Sequence, residues 1–427
     1  MPAAARVSPL GRHAWLVVAL LVPVALLNYL DRQMLASMKF SVMRDIPDIG
    51  LEANWGTILA LFKWVYAFLS PIGGYLADRY SRRRVIAGSL LVWSLVTWMT
   101  GHVTTYEQLL TTRALMGISE AFYIPAALAL IADFHRGHTR SRAVGLHQMG
   151  IYVGVIVGGF GGYVADHPGL GWRWAFDVCG IVGVAYAVPL FRLLRNATPP
   201  AEAGERPRAA SGPGRALGEL LGNGSFILLV LYFTLPALAG WIVRDWMPAI
   251  LKAEFGIGQG LAGVSATLYW QVAAIVGAVA GGWLADRWMR KSARGRIFTS
   301  ALGMSLIVPA LFGVGYAPET GRLWVAVAFL VVFGLGWGLF DSNNMPILCQ
   351  IVRPSLRATG YGIMNLVSIS CGGFADRGFG MLRDRHVPLF GIFAIFASAA
   401  VLSAILVLLI RPRDTESEPT AVSRLHS

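Results

Sequence analysis

The chain has 427 residues, of which 56% are hydrophobic and 14% charged, with 49 glycines, and its mean hydropathy is +0.58. That balance excludes an ordinary soluble domain, which could not hide so much apolar surface. Lys and Arg outnumber Asp and Glu by 36 to 23, a formal net charge of +13, yet the arginines fall in short loops between apolar stretches and not on one polar face, so anionic lipid headgroups and not nucleic acid are the expected partner.

Stretches of about twenty mostly apolar residues, the length that crosses roughly 30 Å of hydrocarbon, mark membrane spans. Six are expected before residue 196, at 13–37, 53–78, 84–103, 106–133, 141–166 and 172–195. The first is too long for a cleavable signal and carries Asp31-Arg32 where a cleavage site would want small residues, so it is expected to stay as a helix. Residues 196–222, with Pro199, Pro200, Pro207 and Pro213, lack apolar periodicity and read as a flexible cytoplasmic linker. Six further spans follow at 223–253, 260–288, 296–316, 320–351, 356–383 and 387–411, and the polar residues 412–427 read as a cytoplasmic tail. The expected fold is all-α, with twelve transmembrane helices in an N-terminal half (1–195) and a C-terminal half (223–411). Cys179, Cys349 and Cys371 lie inside spans without metal-type spacing and read as apolar packing.

Basic residues cluster in alternate loops: Arg79, Arg82, Arg83 and Arg84; Arg136, Arg140 and Arg142; Arg287, Arg290, Lys291, Arg294 and Arg296. The positive-inside rule puts these loops and both termini in the cytoplasm. Short loops lead us to expect a bacterial inner membrane. The phrase Gly73-Gly74-Tyr75-Leu76-Ala77-Asp78-Arg79 returns 208 residues later as Gly281-Gly282-Trp283-Leu284-Ala285-Asp286-Arg287. Repetition at that spacing implies a duplicated unit, an architecture of transporters. Gly73 and Gly74 would let helix backbones approach closely, and Asp78 would meet the positive N-terminus of another helix.

An ionisable group at membrane depth is costly and by default faces a cavity or a partner. The first span has Asn28, Asp31 and Arg32; the second Lys63; the fourth Arg113 and Glu120, seven residues apart and so on one face; the fifth His147. A carboxylate kept partly dry beside a cation can exchange a proton near neutral pH. Arginine grips a carboxylate with two prongs, and lysine offers a point charge to the same anion. The set therefore suits a proton-coupled carrier of an organic anion. For Asp31 with Arg32, and for Arg113 with Glu120, structural ion pairing is the competing reading; for His147 it is a helix contact. Arg244 and Asp245 fit either a gate or mutual neutralisation, and Asp341, Asn343, Asn344 and Asn365 either a cavity lining or helix contacts. No nucleophile–base arrangement, phosphate loop or metal spacing appears, so neither catalysis nor a cofactor is expected.

The two glycine phrases, together with Trp172-Arg173-Trp174-Ala175-Phe176 opening the sixth span, resemble the major facilitator superfamily across essentially the whole chain. Asn28-Tyr29-Leu30-Asp31-Arg32, the Arg113 to Glu120 segment and Trp246-Met247-Pro248 are similar to the anion:cation symporters, which carry sugar acids. That resemblance implies that Asp31 and Glu120 carry protons while Arg32 and Arg113 hold the substrate carboxylate. Tyr29, Lys63, His147 and Asn365 complete the expected substrate site, and Gly73, Gly74, Asp78, Arg79, Gly281, Gly282, Asp286 and Arg287 the conformational motifs. Lys63, His147-Gln148 and Arg244-Asp245 depart from the sugar-acid pattern. The first-span phrase and Gly117-Ile118-Ser119-Glu120-Ala121 also look like Spinster-type lipid transporters. The expectation is a monomeric carrier importing a small organic anion with protons by rocking its halves; the alternative is a proton-driven exporter or lipid carrier.

Overall fold

The computed structural model describes residues 9–135, 138–196, 213–353 and 356–412. The first half contains α1 (Pro9–Ser37), α2 (Lys39–Asp45), α3 (Glu52–Arg79), α4 (Arg82–Thr100), α5 (Tyr106–Glu120), α6 (Tyr123–Phe134), α7 (His138–Gly159), α8 (Gly161–Asp166) and α9 (Gly171–Leu193). The second contains α11 (Gly224–Asp245), α12 (Met247–Phe255), α13 (Gln259–Met289), α14 (Gly295–Tyr316), α15 (Leu323–Ile351), α16 (Arg357–Asp384) and α17 (Leu389–Leu409), preceded by α10 (Pro213–Leu221).

Ten helical segments are long and apolar enough to cross a membrane. Two more complete twelve crossings, and both are polar for a visible reason. The helix α4 opens on Arg82, Arg83 and Arg84, and α16 carries Arg357, Asp376, Arg377, Arg383 and Asp384. Three crossings are broken. The helix α6 has Pro125 in its first turn, which cannot donate to the Ala121 carbonyl, and the chain breaks at Ala121-Phe122. The pair α7 and α8 parts at Phe160, between Gly159 and Gly161. The seventh span, expected as one helix over 223–253, divides at Trp246 because Pro248 leaves the Arg244 carbonyl without its helical donor. The side-chain amide of Gln33 on α1 donates to that carbonyl instead, at 3.0 Å.

The expected linker is partly ordered. Nine residues near its end form α10, with Leu220 buried and Glu219 paired to Arg353 at 2.6 Å. Residues 197–212 lie outside the described part.

The halves meet along α3 with α16, and along α7 and α8 with α13. These contacts need glycine. A Cβ on Gly56 would sit 2.4 Å from the Asp376 carbonyl, one on Gly263 2.2 Å from that of Gly159, and one on Gly162 2.3 Å from that of Gln259. The contacts gather at the end of the bundle opposite the arginine-rich loops, and two reciprocal caps close it. Asp384, ending α16, accepts hydrogen bonds from the Glu52 and Ala53 amides that open α3, both at 2.9 Å. Asp166, ending α8, accepts from the Gln259 amide that opens α13, at 2.8 Å. Each carboxylate meets the positive end of a helix from the other half.

The glycine phrases pack in matching places. A Cβ on Gly73 would lie 2.7 Å from the Ala121 carbonyl, and one on Gly281 2.7 Å from the Ser342 hydroxyl, so each phrase seats its helix on the next crossing but one. Gly282 faces open space. Arg79, Asp286 and Arg287 are exposed at their helix ends; the surroundings of Gly74 and the side chain of Asp78 lie outside what is described. In the Trp172 phrase, Arg173 donates to the Gly101 and Val103 carbonyls after α4, at 3.1 and 2.6 Å, and the Trp172 indole to Asp45 at 2.9 Å.

Candidate functional site

Charges of the first half form one buried network. Asp31 on α1 accepts a hydrogen bond from the Thr97 hydroxyl on α4, at 3.0 Å. Arg32, next in sequence, turns to α5, where its Nε donates to Glu120 at 2.6 Å, and its Nη2 donates to the Asn28 amide oxygen at 3.1 Å. The guanidinium lies over Tyr29, Phe62 and Tyr66, 4.7, 4.5 and 5.0 Å from the ring centres, stacking that a planar cation tolerates. Arg113 donates to the Thr100 hydroxyl at 3.1 Å. The pairing thus crosses between helices: Arg32 serves Glu120, and neither pair suggested by sequence proximity forms directly. Glu120 is wholly buried while Arg32 keeps 17% of its side chain accessible. Asp31 Oδ1, Glu120 Oε1 and Arg113 Nε are buried with no hydrogen-bond partner.

A second network joins the halves. Lys63 on α3 is bonded to Asp245 on α11 and to Asp376 on α16, and its ammonium sits 4.3 Å from the centre of the Trp241 ring. All three charged groups are buried. Asp376 was missed in the sequence, although a carboxylate within a span meets the rule that singled out its neighbours.

Arg244 and Asp245 do not neutralise each other, because successive helical residues point in directions about 100° apart. Asp245 turns to Lys63, and Arg244 turns into the space between the halves. Its guanidinium lies 5.2 Å from the Trp241 ring centre and 5.9 Å from that of Tyr29. Among the described residues no carboxylate lies within 4 Å of it, and its Nε is buried without a partner. Of the cations in the two networks and the cavity, Arg32 and Lys63 are bound to carboxylates; Arg113, held by the Thr100 hydroxyl, and Arg244 are not.

Two adjoining cavities share Tyr29, Val155, Trp241 and Arg244. The smaller, about 510 Å³, reaches Arg32, Lys63 and Arg113; the larger, about 1050 Å³ with its opening to solvent, is lined by Gln148, Tyr152, Gln271, Trp337, Asp341, Tyr361 and Asn365 among others. Tyr29, Arg32, Lys63, Arg113 and Asn365 therefore line these cavities. His147 does not: it is buried against Tyr123, whose hydroxyl lies 2.8 Å from its Nε2. At the closed end, beyond the first span, burial holds the Lys39 ammonium below its ordinary pKa, offset in part by its ion pair with Glu52.

Residues 21–375 match the family model of the Major Facilitator Superfamily. Protein spinster of Drosophila melanogaster is 28% identical over 86% of this chain, which spans 61% of the fly protein's length. Protein spinster homolog 1 of Bos taurus is 30% identical over 87% of this chain and 74% of its own. Among solved structures, a bacterial homologue of the human lysosomal transporter Spinster, inward-facing and unoccupied, superposes with a TM-score of 0.75 over 94% of this chain and 96% of its own, at 20% identity. The chain belongs to the Major Facilitator Superfamily: it is a transmembrane carrier and not an enzyme, and within the superfamily it is similar to the Spinster proteins.

Proposed function

We propose that this carrier imports a small organic anion together with protons by alternating access. The carrying observation is the Arg32–Glu120 pair at the wall of a cavity that also holds Arg244. While Glu120 is ionised it occupies Arg32. Protonation of Glu120 releases the guanidinium, which can then take a substrate carboxylate with two hydrogen bonds, so proton and anion enter together. Asp31, held near Arg113 and Thr97, is the second proton carrier. Arg244 anchors the anion throughout, since it has no carboxylate of its own.

Positive-inside topology makes the arginine-rich end cytoplasmic, so the closed end is external and the described state is inward-open. On this reading Lys63 with Asp245 and Asp376, and the Asp166 and Asp384 caps, form the external seal. Rocking to the outward-open state separates Lys63 from both carboxylates and removes both caps. We read the carrier as a monomer in a bacterial inner membrane with both termini cytoplasmic. Purified carrier in liposomes with a pH electrode, challenged with hexuronates, aldonates and monocarboxylates, tests the function. Alkalinisation outside on adding a substrate supports symport. Acidification, or transport insensitive to the pH gradient, would contradict it. A second reading, a proton-driven exporter or lipid carrier, draws on the aromatic part of the larger cavity's lining, Trp241, Trp270, Phe233, Trp337 and Phe340, which suits an apolar chain. A rise in the melting temperature of the purified carrier with lysolipid, and with none of these anions, would favour it.

A further inference from the structure

The larger cavity holds one other charge that the transport scheme leaves unused. Asp341 on α15 is accessible inside it, and its named partner is the Asn344 amide, donating at 3.4 Å. Among the described residues no cation lies within 4 Å of this carboxylate. The opposite charge that acts on it is Arg244 across the cavity, and a carboxylate inside a membrane-spanning bundle with no cation in contact is expensive unless it has something to bind. A second feature points the same way. Gln271 on α13 lines the cavity while buried, and its Oε1 has no donor; Asn344, one turn from Asp341, likewise has a buried Oδ1 without a partner. Buried polar atoms are normally satisfied; here two acceptors lack a donor, and the indole nitrogen of Trp270, beside Gln271, is a donor that lacks an acceptor. On the facing wall the unmet group is the Nε donor of Arg244.

From this arrangement we infer that the cavity takes a bipolar ligand, with an anionic group on Arg244 and an ammonium group at Asp341. This rests on Arg244 as the anion anchor and names the class of molecule it anchors. Gly240 on α11 packs against the Trp337 ring on α15, and the two helices run in opposite directions. Arg244 lies four residues beyond that contact toward the closed end, and Asp341 four residues beyond it toward the open end. At about 1.5 Å per residue, the two backbones are offset by about 12 Å along the bundle, a gap the side chains shorten. Trp241 and Trp337 flank the space between and suit an apolar body. Tyr152 and Tyr361, from opposite halves, line the cavity with Asp341, and aromatic rings are good neighbours for an ammonium group.

Three probes with one apolar body test this: 8-aminooctanoate, octanoate and octylamine, titrated against the purified carrier with tryptophan fluorescence as readout. The expected result is at least tenfold tighter binding of 8-aminooctanoate than of either single-charge probe. Asp341→Asn should abolish that advantage while leaving octanoate affinity unchanged, and Arg244→Gln should weaken octanoate and 8-aminooctanoate but spare octylamine. A melting temperature close to that of the unaltered carrier shows that each variant is folded. If octanoate binds through Arg244 and the added ammonium brings no gain, the anion reading stands and the bipolar ligand is overturned. Binding by none of the probes, or an advantage that survives Asp341→Asn, also overturns it.

Discussion

The two buried charge networks differ in what they connect. Asp31, Arg32, Arg113 and Glu120 lie on α1 and α5, inside one half, and count two cations against two carboxylates. Lys63, Asp245 and Asp376 come from both halves and set one cation against two carboxylates. A balanced network within a rigid body can survive rocking intact, so its state changes only by taking up a proton or a ligand. The network that straddles the halves must break in every cycle. On the proposed scheme the first couples and the second latches.

The sharpest way to break this contrast is Glu120→Gln. It should abolish proton-driven uptake yet keep counterflow exchange of the same substrate in liposomes, because the halves still rock. Loss of exchange as well would remove Glu120 from the coupling role. Next is Lys63→Met, which leaves two buried carboxylates facing each other without a cation. Breaking a buried pair in this way costs about 3–5 kcal/mol, here charged to the closed end alone, and labelling of cysteines placed there should rise steeply. Asp376→Asn in the same chain should return part of the closure. Smaller effects are expected at the caps: Asp384→Ala and Asp166→Ala should each weaken the seal by about 1 kcal/mol, read as a several-fold gain in the same labelling. Least of all, Gly282→Ala should leave the melting temperature unchanged while Gly281→Ala lowers it, since only Gly281 meets a neighbouring helix.

Much of the first network was legible because its members announce themselves locally. Asn28 to Arg32 lie within one phrase, and Arg113 and Glu120 share a helix face by their spacing of seven. What periodicity could not say is which cation meets which carboxylate, since Arg32 to Glu120 crosses 88 residues. The second network was harder. Lys63 has partners 182 and 313 residues away, and nothing local ties them. Asp376 was nonetheless within reach of the rule on intramembrane charge. His147 illustrates another limit: apolar flanks show depth in the membrane but not which face of α7 the ring takes, and it packs against Tyr123. The broken seventh span was signalled by Pro248 and read through, while the helix α10 was obscured by the prolines around it. All twelve crossings were legible as apolar stretches, α4 and α16 included, although the charges those two carry make them the most polar of the set. Of the two resemblances visible in the sequence, the relatives named above lie on the Spinster side.

The most direct test of the latch is a distance measured between spin labels at Leu51→Cys and Tyr316→Cys, exposed sites at the closed end of the two halves, in a chain whose three native cysteines are replaced. Lys63→Met should move the distribution to longer distances, and Glu120→Gln should leave it where it was. An unchanged distribution in Lys63→Met, or an equal shift in both variants, would contradict the division of labour between the two networks.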